Sequence, residues 1–251
     1  MTFVIQKNND VHGLFIHIPK CGGNSTQKLF SDQGYKLVRP NNDYLGHYKL
    51  NYSLDISKKY YGIDEMRNWK IYIQIREPID WVESSYRYYI NVPVSVHGHR
   101  WEHENFERKG ILWYVDNMLK HIVNGDPVPE EAVDHNHKSH AWHKLDSFLS
   151  LCQKDAEGLE DLDVVIVTNK SMSKLVNLLS PVDNEKYEIP WKNKTERENN
   201  ILEALSGDMK SYNRYKTELY NAHFSNHLNM MNELFDNGIY NAKLFDLVVE
   251  S

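Results

Sequence analysis

Three runs of β-forming residues, each followed by a turn and a helical pattern, constrain the fold more than any other feature of this sequence. The runs are residues 12–19 (HGLFIHIP), 70–76 (KIYIQIR) and 163–168 (DVVIVT). Nearly continuous apolar β formers are typical of parallel strands that are buried on both faces, and strands that alternate with helices form such sheets. We therefore predict a three-layer α/β/α fold with a central parallel sheet.

Helical periodicity and capping signals predict the remaining elements. The first helix should begin at Asn24 or Ser25, which are common N-cap types, and end at Gly34. Pro78 suits the first turn of a helix that runs to about residue 89. Further helical patterns cover residues 111–123, 142–152, 171–179, 196–206 and 210–235, the last broken near its middle. No linker, repeat or low-complexity tract divides the sequence, so we predict a single domain over residues 1–251.

Composition and charge limit the classes of function. The chain of 251 residues is 41% hydrophobic and 12% aromatic, enough apolar surface to offset the conformational entropy lost on folding. Its net charge of −6 argues against a nucleic-acid or general polyanion scaffold, so a bound anion must be held by a local site. Cys21 and Cys152 cannot form a disulfide framework, and neither a signal-peptide pattern nor an apolar run of about 18 residues occurs. We expect a soluble, cytoplasmic protein without membrane insertion.

The turn after the first predicted strand has the composition of an anion-binding loop. It reads Pro-Lys-Cys-Gly-Gly-Asn-Ser-Thr over residues 19–26. The two glycines let the backbone approach a ligand closely, the amides of the helix N-terminus point at it, and Lys20 adds a positive charge. In the ATP-binding P-loop the lysine follows the glycines, whereas here it precedes them. The alternative is an ordinary glycine-containing turn between a strand and a helix.

Two motifs resemble the carbohydrate sulfotransferases of the heparan sulfate 2-O- and 6-O-type. FIHIPKCGGNS resembles the family's HIPKTGGTS loop, which binds the 5′-phosphosulfate of 3′-phosphoadenosine 5′-phosphosulfate (PAPS). IYIQIREPIDWVESSYRYY resembles the strand-turn-helix LRDPxxRxxSxYY, whose Arg and Ser bind the 3′-phosphate. The resemblance covers residues 12–30 and 70–90 well and the rest loosely. It implies a P-loop NTPase-like sulfotransferase fold and PAPS as the cofactor, with no metal required.

The resemblance also implies which residues bind the cofactor. Arg76 and Ser84 match the Arg and Ser of the second motif, and residues 189–195 (IPWKNKT) resemble the family's P-x-x-N-K-S/T loop. Thr195 is explained equally well as a helix N-cap, and Trp81 stands where the family often has a second Arg. The implied cofactor-binding residues are Lys20, Cys21, Gly22, Gly23, Asn24, Ser25, Thr26, Arg76, Ser84, Asn193, Lys194 and Thr195.

The same resemblance implies the catalytic residues, His47 and Lys20. The stretch DYLGHY at residues 43–48 is similar to the family segment that carries a Gly-His pair, and His is well suited to take a proton near neutral pH. His47 would act as the general base towards the acceptor hydroxyl, and Lys20 would stabilise the leaving phosphate. The alternatives for His47 are a solvated loop residue or one that orients the substrate.

Two histidine-rich stretches and the acceptor complete the expectations. His97, His99 and His103 could line an acceptor site or belong to a surface loop, and we expect the histidines of residues 135–143 to form no metal site. Tyr215 and Leu219 are expected in the core.

The acceptor is expected to be a neutral or lightly charged carbohydrate or polar small molecule. The alternative is a non-catalytic nucleotide- or glycan-binding protein, and the missing GK[ST] loop argues against an ATP-dependent kinase.

Overall fold

The computed structural model describes residues 2–38, 49–126, 133–134, 137–138, 140–179 and 200–249. The chain forms two compact units. Unit 1 comprises Met1–Arg76, Asp146–Asn193 and Asn226–Ser251, and unit 2 comprises Glu77–Leu145 and Lys194–Ser225. The single domain expected over residues 1–251 stays a prediction.

The helices and strands follow one another along the chain in a fixed order. They are β1 Thr2–Lys7, β2 Asp10–His17, α1 Gly23–Asp32, β3 Lys36–Val38, α2 Leu50–Tyr61, α3 Ile63–Met66, β4 Lys70–Ile75, α4 Pro78–Asn91, α5 Val94–His97, α6 Arg100–Asn124, β5 Val133–Asp134, β6 His137–Lys138, α7 Gln153–Ala156, β7 Asp163–Thr168, α8 Met172–Leu179, α9 Ile201–Ala204, α10 Met209–His223, α11 Leu228–Asn237 and β8 Ile239–Lys243.

Unit 1 is built on a six-stranded mixed sheet with the order β3-β1-β2-β4-β7-β8. The three predicted strands are confirmed, because β2, β4 and β7 are neighbours and run parallel. The expectation of a parallel sheet is wrong at the margins, since β1, β3 and β8 each pair antiparallel with a neighbour. The hairpin of β1 and β2 turns through Asn8 and Asn9, which have φ of 54° and 70°. Asn tolerates this left-handed backbone, and such a turn matches the twist of paired strands.

Helices of unit 1 cover both faces of the sheet. On one face, Phe15 and Tyr72 of the sheet pack with Leu29 and Phe30 of α1 in a buried cluster that also includes Leu175 of α8. On the other face, the hydroxyl of Ser53 in α2 hydrogen-bonds that of Thr2 in β1. Apart from their first residues, the three parallel strands are therefore buried, which explains their nearly continuous apolar pattern.

Helix α1 ends as the sequence predicts. The N–H of Tyr35 donates to the carbonyl of Phe30 at 2.9 Å, and Gly34, with φ of 79°, supplies the left-handed residue between them. The two aromatic rings meet edge to face at 6.0 Å. This arrangement is a Schellman motif with its hydrophobic contact, and it fixes the exit of the chain from α1.

Unit 2 packs α4, α6 and α10 around a cluster of aromatic rings. Phe106 lies 4.4 Å from Tyr114 and 5.9 Å from Tyr86, measured between ring centroids. Helix α6 is broken at Gly110, whose φ is 81°. Tyr215 and Leu219 of α10 are buried, as expected. The aromatic residues that follow β4 in the sequence therefore form the hydrophobic core of unit 2.

Three helix predictions met different outcomes. The break expected within residues 210–235 is confirmed, because α10 and α11 are separate helices. The helix expected over residues 142–152 is wrong: 3-10 turns occupy His140–Trp142 and Leu145–Phe148. In the second turn, the buried Asp146 carboxylate accepts hydrogen bonds from the backbone N–H of Asn226 and from His227 Nδ1, contacts that a helical pattern does not anticipate. Of residues 196–206, α9 accounts for Ile201–Ala204, and 196–199 lie outside the described residues.

Across the described parts of the chain, no helix combines the length and the apolar character needed to cross a membrane.

Candidate functional site

The loop that follows β2 has an unusual backbone. Lys20 has φ of 61° and Gly22 has φ of 89°, so two left-handed residues flank Cys21. The N–H of Cys21 donates to the carbonyl of Ile18 at 3.3 Å, which closes the turn. A left-handed conformation costs a residue with a side chain about 1–2 kcal/mol, and such strain clusters at functional sites. Its presence at the one lysine of this loop makes the loop the first candidate for the site.

Helix α1 begins with its backbone amides available to a ligand. Gly22 is the N-cap and no side chain caps the helix, so the expected cap at Asn24 or Ser25 is wrong. The carbonyl of Gly22 accepts the N–H of Ser25 at 3.0 Å and of Thr26 at 3.2 Å. No described residue accepts from the N–H groups of residues 22–24, and the first turn contains no acidic residue. Such an N-terminus attracts anions through its amides and its helix dipole.

The two glycines are required by what lies beneath them. A Cβ added to Gly23 would lie 2.0 Å from Nε2 of His17, and one added to Gly22 would lie 3.0 Å from Nε2 of Gln74. His17 ends β2, and its ring stacks on Phe15 with centroids 6.2 Å apart. The loop therefore rests directly on two polar side chains of the parallel strands.

Two buried donor groups in β4 and directly after it have no hydrogen-bond partner in the described structure. The side chain of Gln74 is 1% exposed; its Oε1 accepts from the hydroxyl of Thr26, and its Nε2 is unpaired. The Nε of Arg76 is likewise buried and unpaired. An unsatisfied buried donor costs about 1–3 kcal/mol. The donors of Gln74 and Arg76 therefore favour a site that an anion completes.

The sequence prediction missed Gln74 and His17. Both are buried polar residues with apolar neighbours in the parallel strands, and burial of a polar group is costly unless the group is hydrogen-bonded. That signal could have identified them.

Cys21 contributes its backbone to the loop, because its side chain is fully buried. Burial raises the pKa of its thiol from 9.0 to about 12, against the lowering effect of the nearby charges of Arg76 and Lys20. The thiol therefore stays neutral at physiological pH and adds no negative charge beside the loop.

The second motif extends into unit 2. Ser84 lies on α4 and is half-buried, and its assignment to the cofactor stays a prediction. Trp81, the residue that departs from the family pattern, is fully buried and meets the ring of His223 edge to face at 5.4 Å. An arginine would lack this packing contact, so the tryptophan serves the core of unit 2.

Four predicted site residues lie outside the described part of the chain. They are His47, Asn193, Lys194 and Thr195. Their assignments stay predictions.

Two of the three histidines that could line an acceptor site contact other residues of unit 2. Nδ1 of His103 lies 2.7 Å from the carbonyl of Tyr89, and Nδ1 of His99 lies 3.9 Å from a carboxylate oxygen of the buried Glu102. Among the residues for which the structure gives positions, no group of three or more His, Cys, Asp or Glu is arranged to hold a metal ion.

Comparisons of the chain with models of protein families, with curated proteins and with solved structures find no match. The function is therefore inferred from the residues of the loop and from the motifs that the sequence contains.

Proposed function

We propose that the protein is a PAPS-dependent sulfotransferase of the P-loop NTPase-like fold. It would transfer a sulfuryl group to a hydroxyl of a carbohydrate or another polar small molecule. The observation that carries the proposal is the loop at the carboxyl end of β2, with its left-handed lysine, open amides and unpaired buried donors. Ligands of parallel sheets bind beyond the carboxyl ends of the strands, and this loop has the composition of the 5′-phosphosulfate loop that it resembles.

The residues of the loop fit an anionic group without help from the net charge of the chain. The amides of residues 22–24 would hold the phosphate oxygens, and the ammonium of Lys20 would neutralise the charge that grows on the leaving phosphate. Arg76 can offer a second, forked set of donors, as the resemblance implies for the 3′-phosphate. PAPS supplies the electrophilic sulfur when it is bound. Positioning and fixed charge would account for most of the rate enhancement, as in phosphoryl transfer.

His47 is proposed as the general base that takes the proton of the acceptor hydroxyl. An imidazole has an ordinary pKa of about 6.5, which is close to the optimum for proton transfer at neutral pH. The net charge of −6 favours a neutral or lightly charged acceptor, because a heavily sulfated glycan would require a basic groove.

The first experiment compares the product nucleotide, 3′-phosphoadenosine 5′-phosphate (PAP), with ATP and Mg²⁺ in a thermal-shift assay. PAP at 100 times its Kd should stabilise the protein by about 2.7 kcal/mol, or roughly 5–10 °C in a chain of this size. ATP should have little effect, because the loop lacks the GK[ST] order. A shift with ATP and none with PAP would replace the proposal by a kinase-like one.

The second experiment measures transfer of labelled sulfate from PAPS to a panel of hydroxyl acceptors. Lys20→Ala and His47→Ala should each lower turnover by about 10²–10³, the usual cost of one such group. His12→Ala is a matched control for the histidine change, since His12 is an exposed residue near the start of β2. PAP binding without any transfer would instead identify a non-catalytic nucleotide-binding protein.

The third experiment tests the second motif by calorimetry. Arg76→Ala and Ser84→Ala should each weaken PAP binding, by about 10- to 100-fold for the arginine, because its hydrogen bonds to the phosphate involve two charged groups. Unchanged PAP affinity in Arg76→Ala would remove Arg76 from the site.

A further inference from the structure

We infer that Gln74 is an anion-binding residue of the β2–α1 loop: its side-chain Nε2–H donates to the bound anion, and the Thr26 hydroxyl holds the amide in that orientation. The inference rests on the proposed function, because it assigns a further donor to the same phosphate site. Neither motif of the resemblance assigns Gln74 a role.

The position of Gln74 requires an explanation. It is the penultimate residue of β4, between Ile73 and Ile75, both fully buried, and it is itself 1% exposed. A polar side chain at such a position has no contact with water, so each of its donors and acceptors needs a partner inside the protein. One end of the amide has that partner and the other does not, which leaves the Nε2 donor for a ligand.

The orientation of the amide follows from Thr26. The side chain of Thr26 is fully buried, and its hydroxyl donates to Oε1 of Gln74. The amide nitrogen is therefore the end that faces Gly22: a Cβ built on Gly22 would lie 3.0 Å from Nε2 but 3.7 Å from Oε1. The same glycine begins the row of open amides on α1. Gln74 thus adds an N–H donor to the side of the loop where the backbone donors already lie.

The chemistry of the amide makes two different substitutions informative. Gln74→Met keeps the length and volume of the side chain but removes the donor. Gln74→Glu keeps the shape and places a negative charge beside the anion, which a buried site cannot screen. Gln33→Met, at the C-cap of α1, is the matched control, because it makes the same change at the other end of the helix.

Calorimetric titrations with PAP and with inorganic pyrophosphate measure the effect. Gln74→Met should weaken the binding of both by about 10- to 100-fold, the range for a hydrogen bond to a charged group. Gln74→Glu should bind neither detectably, and Gln33→Met should bind as the wild type does. Thr26→Val should weaken binding in the wild-type background and have no effect in Gln74→Met, because the hydroxyl acts through the amide.

A second readout needs no substitution. The side-chain amide resonances of Gln74 in the wild-type protein should shift on addition of pyrophosphate and saturate with the calorimetric Kd. This measurement decides the question if Gln74→Met fails to fold.

The outcomes separate this inference from the proposed function. Binding of pyrophosphate but not PAP, with loss in Gln74→Met, would overturn the sulfotransferase proposal and support the role of Gln74. Full PAP affinity in a folded Gln74→Met, or an unshifted Gln74 amide at saturation, would overturn the role of Gln74 alone. Failure of the wild type to bind either anion would overturn both.

Discussion

Two of the turns that follow the parallel strands lead into helices whose N-termini are built in opposite ways. The turn from β2 into α1 has left-handed residues at Lys20 and Gly22, no side-chain cap and no acid in the first helical turn. The turn from β4 into α4 passes through Glu77, which has φ of −52°, and places Pro78 at the start of the helix and Asp80 in its first turn.

The difference separates a helix N-terminus that is open to the proposed ligand from one that the protein's own residues complete. Pro78 has no N–H, and Asp80 provides α4 with its own negative charge, so little of the helix dipole is left for a guest. Helix α1 has neither a proline nor an acidic residue in its first turn, so its amides and its dipole are not compensated in this way. In the second turn, the proposed binding group is a side chain, Arg76, and not the backbone.

The largest effect is expected from closing the first turn with a methyl group. Gly23→Ala would place a Cβ 2.0 Å from the buried ring of His17, so the helix start must move or the protein must lose stability. We expect a loss of about 1–3 kcal/mol in the free energy of unfolding and loss of PAP binding. Gly110→Ala is the control for PAP binding: nothing lies within 4 Å of its Cβ, and its positive φ should cost about 1–2 kcal/mol of stability without loss of PAP binding. Denaturant unfolding and calorimetry of both variants make the measurement, and full PAP binding by Gly23→Ala would contradict the account of the loop.

The next test reverses the charge difference between the two helix N-termini with isosteric substitutions. Asn24→Asp gives α1 its own acid and should weaken PAP binding at least tenfold, while it stabilises the free protein by about 0.3–1 kcal/mol. Asp80→Asn removes the acid of α4 and should destabilise the protein by a similar amount, with PAP affinity kept within about twofold. Calorimetry and thermal unfolding test both variants. Equal effects of the two substitutions on PAP binding would end the distinction between the turns.

Backbone strain should have a smaller effect. The stability difference between glycine and alanine variants should have opposite signs in the two turns. Lys20→Gly and Lys20→Ala both lose the ammonium, but only glycine relieves the left-handed φ, so Lys20→Gly should be the more stable by about 1 kcal/mol. At Glu77, whose φ is −52°, the order should reverse, with Glu77→Gly less stable than Glu77→Ala by about 0.4–1 kcal/mol. Chemical denaturation of the four variants measures both differences. A Lys20→Ala variant more stable than Lys20→Gly would show that the strain at Lys20 is absent in solution.

The last effect appears only at alkaline pH and concerns the thiol of the first turn. The folded pKa of Cys21 is raised to about 12 from 9.0, so the folded state keeps a proton that the unfolded state releases above pH 9. The stability is therefore intact below pH 9 and falls as the pH rises towards 12, by about 1 kcal/mol per chain between pH 9 and 10 for this group. Unfolding free energies of the wild type and Cys21→Ala at pH 8, 9 and 10 test this. Parallel pH profiles would contradict the burial of the thiol.

Local pattern was enough to predict the central strands, because burial on both faces leaves continuous apolar runs such as residues 164–167. It was not enough for the margins of the sheet. β3 has only three residues, and β8 mixes apolar and polar residues in IYNAK, so neither has a strong strand signal.

The loop of residues 19–26 could be identified from its composition, but its internal construction could not. The sequence predicted the N-cap at Asn24 or Ser25, whereas the structure has it at Gly22, where the backbone is left-handed. Residue types alone do not reveal that conformation. The pairing of Gln74 with Thr26 joins residues 48 positions apart, so it becomes visible only once β4 lies beside β2.

The most direct test of the account is the response of the backbone amides of residues 22–24 to PAP. In ¹⁵N–¹H correlation spectra, these resonances should shift on titration and saturate together, with the Kd that calorimetry gives. Saturation of PAP binding while the amides of residues 22–24 stay unshifted would show that the nucleotide, if it binds, binds elsewhere, and the assignment of this loop as a phosphate site would be wrong.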